Sequence, residues 1–266
     1  MPATSREKKE NELRRYYVAL YQTWGAQHWW PAETRFEVVV GAYLTQNTAW
    51  TNVERALTAL RGAQLLSIEG IRHVKLAKLE RLIRSSGYFR QKAQRLKTFV
   101  AFLDRQYGGA LDQMFSEPTH KLRERLLALN GIGPETADSI LLYAGNHAVF
   151  VVDAYTRRIL DRHKILPAKA GYEDIRDLFQ RALTPLAHDQ QRMSASAPHL
   201  DSGFRGAAHS PSAMSTAQRT ALAQLYNEMH GLMVGVGKGY CKKSKPACEA
   251  CPLRSFLPAD RTPKTK

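Results

Sequence analysis

Apolar residues recur at helical spacing along much of the chain. In residues 12–24 they are three or four positions apart, at Leu13, Tyr16, Tyr17, Leu20 and Tyr21. This spacing places them on one face and predicts an amphipathic helix. Residues 34–44 are apolar almost throughout, which predicts a buried helix.

The same pattern predicts helices over residues 53–60, 65–82, 122–129, 175–183 and 217–234, so we expect an all-α fold. A further helix near residue 90 has a basic face (Arg90, Lys92, Arg95 and Lys97) that could contact phosphates.

Residues 188–216 are rich in Ser, Ala, Gly and Pro and have no periodicity. They predict a flexible insertion, with a functional loop as the alternative. His230, in the last predicted helix, is interpreted as a packed structural histidine.

A glycine turn interrupts the helices at Gly131-Ile132-Gly133. Because glycine tolerates positive φ, two glycines one residue apart predict a tight hairpin. Pro134 follows and favours the first position of a second helix. The free N–H groups of such a hairpin could bind an anion. An isolated Gly-x-Gly turn would carry no such function.

A carboxylate follows this hairpin at Asp153, after an apolar run over residues 149–152. Arg157 and Arg158 lie on the helix predicted to begin there. The spacing indicates an acidic residue held near a phosphate-binding turn. The alternative is that Asp153 only caps the helix, since aspartate is a common N-cap residue; the two roles are compatible.

Composition points to a polyanionic partner. The 266 residues carry a formal net charge of +15, and the pI is about 9.9, so nucleic acid is the first candidate and an anionic membrane surface the second. Three cysteines make a disulfide framework improbable. No apolar run approaches the ~20 residues that span a bilayer, and no secretory signal is evident. We expect an intracellular protein of the cytoplasm or nucleoid.

The order of the turn glycines, Thr136-Ala137, Val152-Asp153 and Arg157 resembles the helix-hairpin-helix and following aspartate of the endonuclease III superfamily of DNA glycosylases. The resemblance covers about residues 12–255, apart from the insertion. It implies two helical lobes with a DNA-binding cleft between them. One is a six-helix lobe over residues 34–147 that contains the hairpin. The other joins residues 1–33 to residues 148–266 and ends in a cysteine loop.

The resemblance also implies roles for individual residues. Asp153 would be the catalytic carboxylate that stabilises the oxocarbenium-like transition state or activates water. Gln46, in the phrase Leu-Thr-Gln-Asn-Thr, would fill the gap left by a flipped nucleotide; otherwise it only orders its loop. The other DNA-binding positions are those of the hairpin: Gly131, Ile132, Gly133, Glu135 and Thr136. Trp29, Trp30 and Trp50 are candidates for the base pocket, with core packing as the alternative.

The position that holds a lysine in bifunctional members of this superfamily is Glu135 here. A carboxylate cannot form an imine, so we predict base excision without strand cleavage at the abasic site. This departure, the Trp-Trp-Pro stretch and the phrase around Gln46 resemble the endonuclease-III-like 3-methyladenine DNA glycosylases. In that subgroup an aromatic pocket suits a cationic alkylated purine. The chemistry itself requires no cofactor.

The cysteines Cys241, Cys248 and Cys251 correspond to three of the four ligands of the superfamily's 4Fe–4S cluster, and Leu257 stands at the fourth position. Three outcomes stay open. The site could hold a cluster with an oxygen ligand, from Asp260 or water; it could hold zinc with a non-cysteine fourth ligand; or it could fold without metal.

We therefore predict a monomeric monofunctional glycosylase that acts on double-stranded DNA with a damaged base. One rival is a bifunctional enzyme for oxidised pyrimidines that uses another amine, such as Lys121 or Lys164. A second rival is a non-catalytic protein that grips DNA through the hairpin. A nuclease is disfavoured because no carboxylate cluster suited to paired metal ions is evident.

Overall fold

The computed structural model describes residues 4–188 and 206–259. Every regular element in these two ranges is helical, which confirms the predicted all-α fold. None of the described helices is both long and apolar enough to cross a membrane. The chain divides into two compact units: unit 1 comprises Met1–Pro31 with Ala148–Lys266, and unit 2 comprises Ala32–His147.

Unit 2, all of whose residues are described, contains eight α-helices rather than the six predicted. They are α2 Arg35–Leu44, α3 Trp50–Gly62, α4 Ile68–His73, α5 Leu76–Leu82, α6 Phe89–Tyr107, α7 Leu111–Phe115, α8 Thr119–Leu127 and α9 Pro134–Ser139. The count of six is what the resemblance implies, and the eight α-helices of this structure include α7, which has only five residues. A π-helical turn, Ile140–Ala144, directly continues α9.

The core of unit 2 is built around α2, which is buried from Phe36 to Leu44. It packs against α3, α6 and the π-helical turn after α9. Thr34 caps α2 by accepting a hydrogen bond from the Glu37 N–H. The Thr34 hydroxyl thus provides an acceptor for the Glu37 N–H, which has none within the helix. The continuous apolar stretch in the sequence thus becomes the central helix of the unit.

Unit 1 is assembled from four α-helices within its described residues: α1 Ser5–Trp24, α10 Ala154–Arg162, α11 Tyr172–Leu183 and α12 Ala221–Gly239. The face of α1 predicted from periodicity is buried: Leu13, Tyr16, Tyr17, Leu20 and Tyr21. Helix α1 packs on α11, and α10 packs on α12. The contact between α10 and α12 brings together residues that lie far apart in sequence, and it determines the surroundings of Asp153.

The segment predicted to be a flexible insertion is ordered at its C-terminal end. Ala207 is buried, its N–H donates to Gln27 Oε1 at 2.8 Å, and the His209 N–H donates to the Gln27 carbonyl oxygen at 3.1 Å. Met214 and Ser215 are also buried. The prediction was therefore too broad over residues 206–216. These residues lack helical periodicity because their partners are backbone and side-chain groups of another loop. The part of the prediction that falls on residues 189–205 lies outside the described residues.

Candidate active site

The turn between α8 and α9 has the predicted hairpin form, but only one of its glycines has a positive φ. Gly131 has φ +83°, and the Ile132 N–H closes the turn on the Leu129 carbonyl oxygen at 3.1 Å. Gly133 is the N-cap of α9 with φ −94° and ψ 176°, a conformation open to any residue. The tolerance of glycine for positive φ, from which the hairpin is predicted, is therefore used at Gly131 and not at Gly133. The chain reverses direction with a single residue of positive φ, Gly131.

Gly131 also leaves room for a neighbouring side chain. A β-carbon at this position would overlap the side chain of Arg95, which reaches across from α6. At Gly133 the same atom would meet nothing within 4 Å. Arg95 is therefore only partly exposed, although the sequence predicts an open basic face on α6. It packs onto the hairpin, a long-range contact that helical periodicity could not reveal.

The side chain of Gln46 is bonded to the hairpin on both of its polar atoms. Its Nε2 donates to the Gly131 carbonyl oxygen at 2.9 Å and to Thr136 Oγ1 at 3.0 Å. Its Oε1 accepts from Arg95 Nη1 at 2.9 Å. In this structure Gln46 thus has the loop-ordering role that was the alternative to filling a gap in DNA. To enter a duplex it would have to exchange these three hydrogen bonds for others.

Helix α9 presents Glu135 to solvent and buries Thr136. It is anchored from below by Asp138, which is fully buried and accepts two hydrogen bonds from Arg123, at 2.7 and 3.2 Å. A guanidinium and a carboxylate joined by two hydrogen bonds fix the orientation of α9 relative to α8. No sequence motif marks this pair, although Arg123 on α8 and Asp138 on α9 flank the turn.

Lys92 lies buried behind the Gln46 loop, although the sequence suggested a basic face open to DNA. It is 1% exposed, and its Nζ donates to three oxygens: the carbonyls of Leu44 (2.8 Å) and Ser86 (2.7 Å) and Thr48 Oγ1 (2.8 Å). Burial, with a smaller contribution from Arg95, lowers the pKa of this amine to about 8. Lys92 therefore fastens the end of α2 and the loop after it, rather than contacting solvent.

Asp153 is the N-cap of α10 and is 9% exposed. Its Oδ1 accepts from the Thr156 N–H at 2.7 Å, and its Oδ2 lies 3.7 Å from His230 Nε2. Burial alone raises the pKa of this carboxyl, but His230 and Thr156 outweigh it, so the pKa lies below its ordinary value. These two neighbours thus favour the ionised form of a carboxyl group in a largely enclosed position. The interpretation of His230 as merely packed missed its approach to Asp153.

The two arginines after Asp153 are engaged within unit 1. Arg157 Nη1 donates to the Ala170 carbonyl oxygen at 2.7 Å, and Arg158 Nε donates to the carbonyl oxygen of Cys241. They stabilise backbone carbonyls rather than standing free beside the carboxylate.

The predicted pocket tryptophans fall into two groups. Trp29 and Trp30 are both buried in unit 1 and meet edge to face, with ring centroids 5.9 Å apart. Trp29 also contacts His230 at 6.0 Å, and Lys238 Nζ lies 5.6 Å from its ring centroid. Through His230, Trp29 belongs to the surroundings of Asp153. Trp50 lies in unit 2, half-buried, and its Nε1 donates to Glu54 Oε1 at 2.7 Å.

A second buried carboxylate, not identified from the sequence, supports the loop before Trp29. Glu228 is 2% exposed and accepts the Gln27 N–H at 2.9 and 3.2 Å on its two oxygens. Burial raises its pKa to about 7, against the lowering effect of the Gln27 N–H, Arg219 and the His28 N–H. A glutamate within an otherwise apolar helix can be recognised in the sequence as a candidate buried carboxyl group. Because burying an unpaired charge is unfavourable, such a group is expected to have hydrogen-bond donors or a raised pKa.

The described residues, which include all three cysteines, contain no group of three His, Cys, Asp or Glu side chains arranged to hold a metal ion. Cys241 is buried, and its Sγ accepts from Arg162 Nη1 at 3.1 Å. Burial is the main cause that raises the pKa of the Cys251 thiol, to about 11. Leu257, at the fourth position, offers no donor, and Asp260 lies outside the described residues. These side chains do not fit a cluster that requires four thiolates.

Comparison with known proteins identifies the family to which this fold and this hairpin belong. Residues 40–185 match the family described as HhH-GPD superfamily base excision DNA repair protein. A protein of Methanocaldococcus jannaschii that bears the name of a candidate DNA repair glycosylase is 38% identical over 252 residues, which cover 94% of this chain and 98% of that protein.

Two solved structures resemble this one over most of its length. The H. pylori 3-methyladenine DNA glycosylase bound to 1,N6-ethenoadenine is 27% identical with a TM-score of 0.62, covering 89% of this chain and 98% of that chain. A trapped endonuclease III–DNA covalent intermediate is 19% identical with a TM-score of 0.67, covering 93% and 95%, and shares the fold. These matches confirm the resemblance to the endonuclease III superfamily. The chain belongs to the HhH-GPD superfamily, the helix-hairpin-helix DNA glycosylases of base excision repair.

Proposed function

We propose that this protein is a monofunctional DNA glycosylase that releases an alkylated purine, such as 3-methyladenine, from double-stranded DNA. The observation that carries the proposal is the largely buried carboxylate of Asp153 at the head of α10, which accepts the Thr156 N–H and lies 3.7 Å from His230 Nε2. A negative charge in this setting stabilises a nearby cation strongly, because little water screens it.

The reaction needs little more than this charge. The bond between the sugar C1′ and the base nitrogen breaks, and both electrons leave with the base. Positive charge then develops on the sugar, where the Asp153 carboxylate stabilises it. Water attacks C1′, and its proton passes to solvent. An alkylated purine that is already cationic departs as a neutral molecule, so the site needs no strong acid to protonate it.

Glu135 supports the absence of lyase activity. It stands in the first turn of α9 and is exposed, at the position where bifunctional members carry a lysine. Lyase chemistry requires an amine that attacks C1′ and forms an imine, which a carboxylate cannot do. Lys121 and Lys164, the alternative amines, are both exposed. Borohydride trapping on abasic DNA tests this part: the proposal predicts no covalent adduct, and an adduct would establish the bifunctional rival.

Trp29 supports the choice of an alkylated purine. Its ring is near His230, and Lys238 Nζ lies 5.6 Å from the ring centroid. A cationic base that replaces the Lys238 ammonium group at this ring would gain the same attraction to its electron-rich face. The likeness to the H. pylori 3-methyladenine DNA glycosylase, at 27% identity, favours the same substrate class.

We propose that the hairpin grips duplex DNA through N–H groups at the start of α9, aided by the net charge of +15. Under this proposal the protein acts as a monomer. No cofactor takes part in the chemistry, and the C-terminal cysteine segment folds without a cluster. Its described contacts, such as Arg162 with Cys241 Sγ, already tie it to α10.

A panel of duplexes tests the function directly. Each carries one alkylated, oxidised or mismatched base, and base release is measured without subsequent strand cleavage. The proposal predicts release of alkylated purines and intact abasic strands. Release of oxidised pyrimidines with strand cleavage would favour the endonuclease III-type rival. DNA binding without release from any duplex would favour the non-catalytic binder.

A further inference from the structure

His230 has no part in the reaction as described so far, yet it lies beside the proposed catalytic group. It is on α12, 4% exposed, with Nε2 3.7 Å from Asp153 Oδ2. This is a distance for electrostatic attraction, slightly longer than a direct hydrogen bond. The contact joins two helices, α10 and α12, that pack against each other within unit 1.

The ring of His230 is held by aromatic neighbours. Its centroid lies 6.0 Å from that of Trp29, with 63° between the planes, and 6.3 Å from that of Phe150, with 78°. These edge-to-face contacts restrict the rotation of the imidazole. They also exclude water, which strengthens the interaction between Nε2 and the carboxylate.

Asp153 consequently has one neighbour for each carboxylate oxygen. The Thr156 N–H binds Oδ1, and His230 Nε2 approaches Oδ2. The first contact is an ordinary helix cap and depends only on local sequence. The second is a tertiary contact that capping does not require. Its presence in a buried site therefore calls for a different explanation.

We infer that His230 is a positioning residue for Asp153, holding the carboxylate in its ionised form and in one orientation toward the developing sugar cation. This inference rests on the proposed role of Asp153. The lowered pKa of Asp153 agrees with it, since burial alone would raise that pKa and His230 is the main opposing influence. Other charged groups nearby are directed elsewhere: Glu228 to the Gln27 N–H, Lys238 to Trp29 and Arg158 to Cys241.

The test compares three variants by two measurements. His230→Phe keeps an aromatic ring but removes the nitrogen, and His230→Gln keeps an N–H donor. The matched control is His209→Phe, because His209 contacts the same Trp29 ring at 5.5 Å. The pKa of Asp153 is followed by carbon NMR of labelled aspartate carboxyls, and base release is measured under single-turnover conditions, which isolate the chemical step.

The inference predicts that His230→Phe raises the pKa of Asp153 and slows base release, with a larger fold loss as the assay pH falls toward the raised pKa, because only the ionised carboxylate stabilises the sugar cation. His230→Gln should retain most of the wild-type pKa of Asp153 and most of the wild-type rate of base release. His209→Phe should leave the pKa of Asp153 unchanged. If His230→Phe does not fold, His230→Asn, whose amide is too short to approach Oδ2, takes its place.

A folded variant without the imidazole whose Asp153 titrates as in the wild type would overturn the inference. The same holds if His209→Phe shifts the pKa of Asp153 as much as the His230 variants do. Because the NMR measurement needs no substrate, it still decides the inference if the wild-type protein releases no base. In that case the proposed function fails, and the link between His230 and Asp153 is judged separately.

Discussion

The side chain of Arg95 occupies the space that a β-carbon on Gly131 would need. Gly131 is also the left-handed residue of the hairpin, with φ +83°. Two independent constraints therefore act on one position, whereas Gly133, two residues later, is subject to neither.

This difference gives a matched pair of substitutions. Gly131→Ala should lower the free energy of unfolding by about 1–3 kcal/mol, because it strains the backbone and displaces Arg95. Gly133→Ala should cost less than about 1 kcal/mol, since only the N-cap preference changes. Urea denaturation of both variants measures the two values. Equal losses would contradict the hairpin geometry described here.

The hydrogen bonds of Gln46 lead to a second prediction. Gln46→Ala leaves the Gly131 carbonyl oxygen, Thr136 Oγ1 and Arg95 Nη1 without this partner. It should lower the free energy of unfolding by about 1–3 kcal/mol. Gln94→Ala, at an exposed position of α6, is the control and should change it by no more than about 0.5 kcal/mol. If the two variants unfold alike, Gln46 does not support the hairpin.

Glu228 predicts a particular dependence of stability on pH. Its pKa rises from 4.5 in the unfolded chain to about 7 in the folded protein, so between these values the folded state binds more protons. The contribution of Glu228 to stability is therefore complete below pH 4.5 and declines as the pH rises through 7. Glu228→Gln should remove this decline and stabilise the protein relative to wild type at neutral pH.

The measurement is the difference in unfolding free energy between wild type and Glu228→Gln at several pH values. Taking the difference cancels the pH dependence that other groups contribute. His163 is one such group, because burial lowers its pKa to about 4. Glu124→Gln, at an exposed site on α8, is the control and should show no comparable trend. A flat difference between wild type and Glu228→Gln would mean that Glu228 titrates normally.

Periodicity was sufficient to predict those elements whose apolar residues repeat, such as the buried face of α1 and the central helix α2. It was insufficient where a side chain's surroundings come from distant parts of the chain. The sequence predicts a basic surface that includes Lys92 and Arg95, but Lys92 is buried against backbone oxygens and Arg95 packs on Gly131. His230 meets Asp153 only because α12 packs on α10.

The cysteine segment gives a prediction about metal content. Because the described residues offer no three-ligand group and Leu257 has no donor atom, protein purified without oxygen should contain far less than one cluster's iron per chain. Chelators should leave its melting temperature unchanged, and Cys248→Ser should behave like wild type. Stoichiometric iron with a broad visible absorbance, lost in Cys248→Ser, would show that a cluster forms with a different fourth ligand.

The central claim is that the charge of Asp153, and not merely its capping of α10, drives base release. Asparagine caps helices as well as aspartate does, so Asp153→Asn should keep the fold while removing the charge. The decisive measurement is single-turnover release of a cationic alkylated purine from duplex DNA by wild type and by Asp153→Asn. We predict a loss of at least about 100-fold, of the order found when a group stabilising transition-state charge is removed. A folded Asp153→Asn protein that releases the base at the wild-type rate would contradict the account.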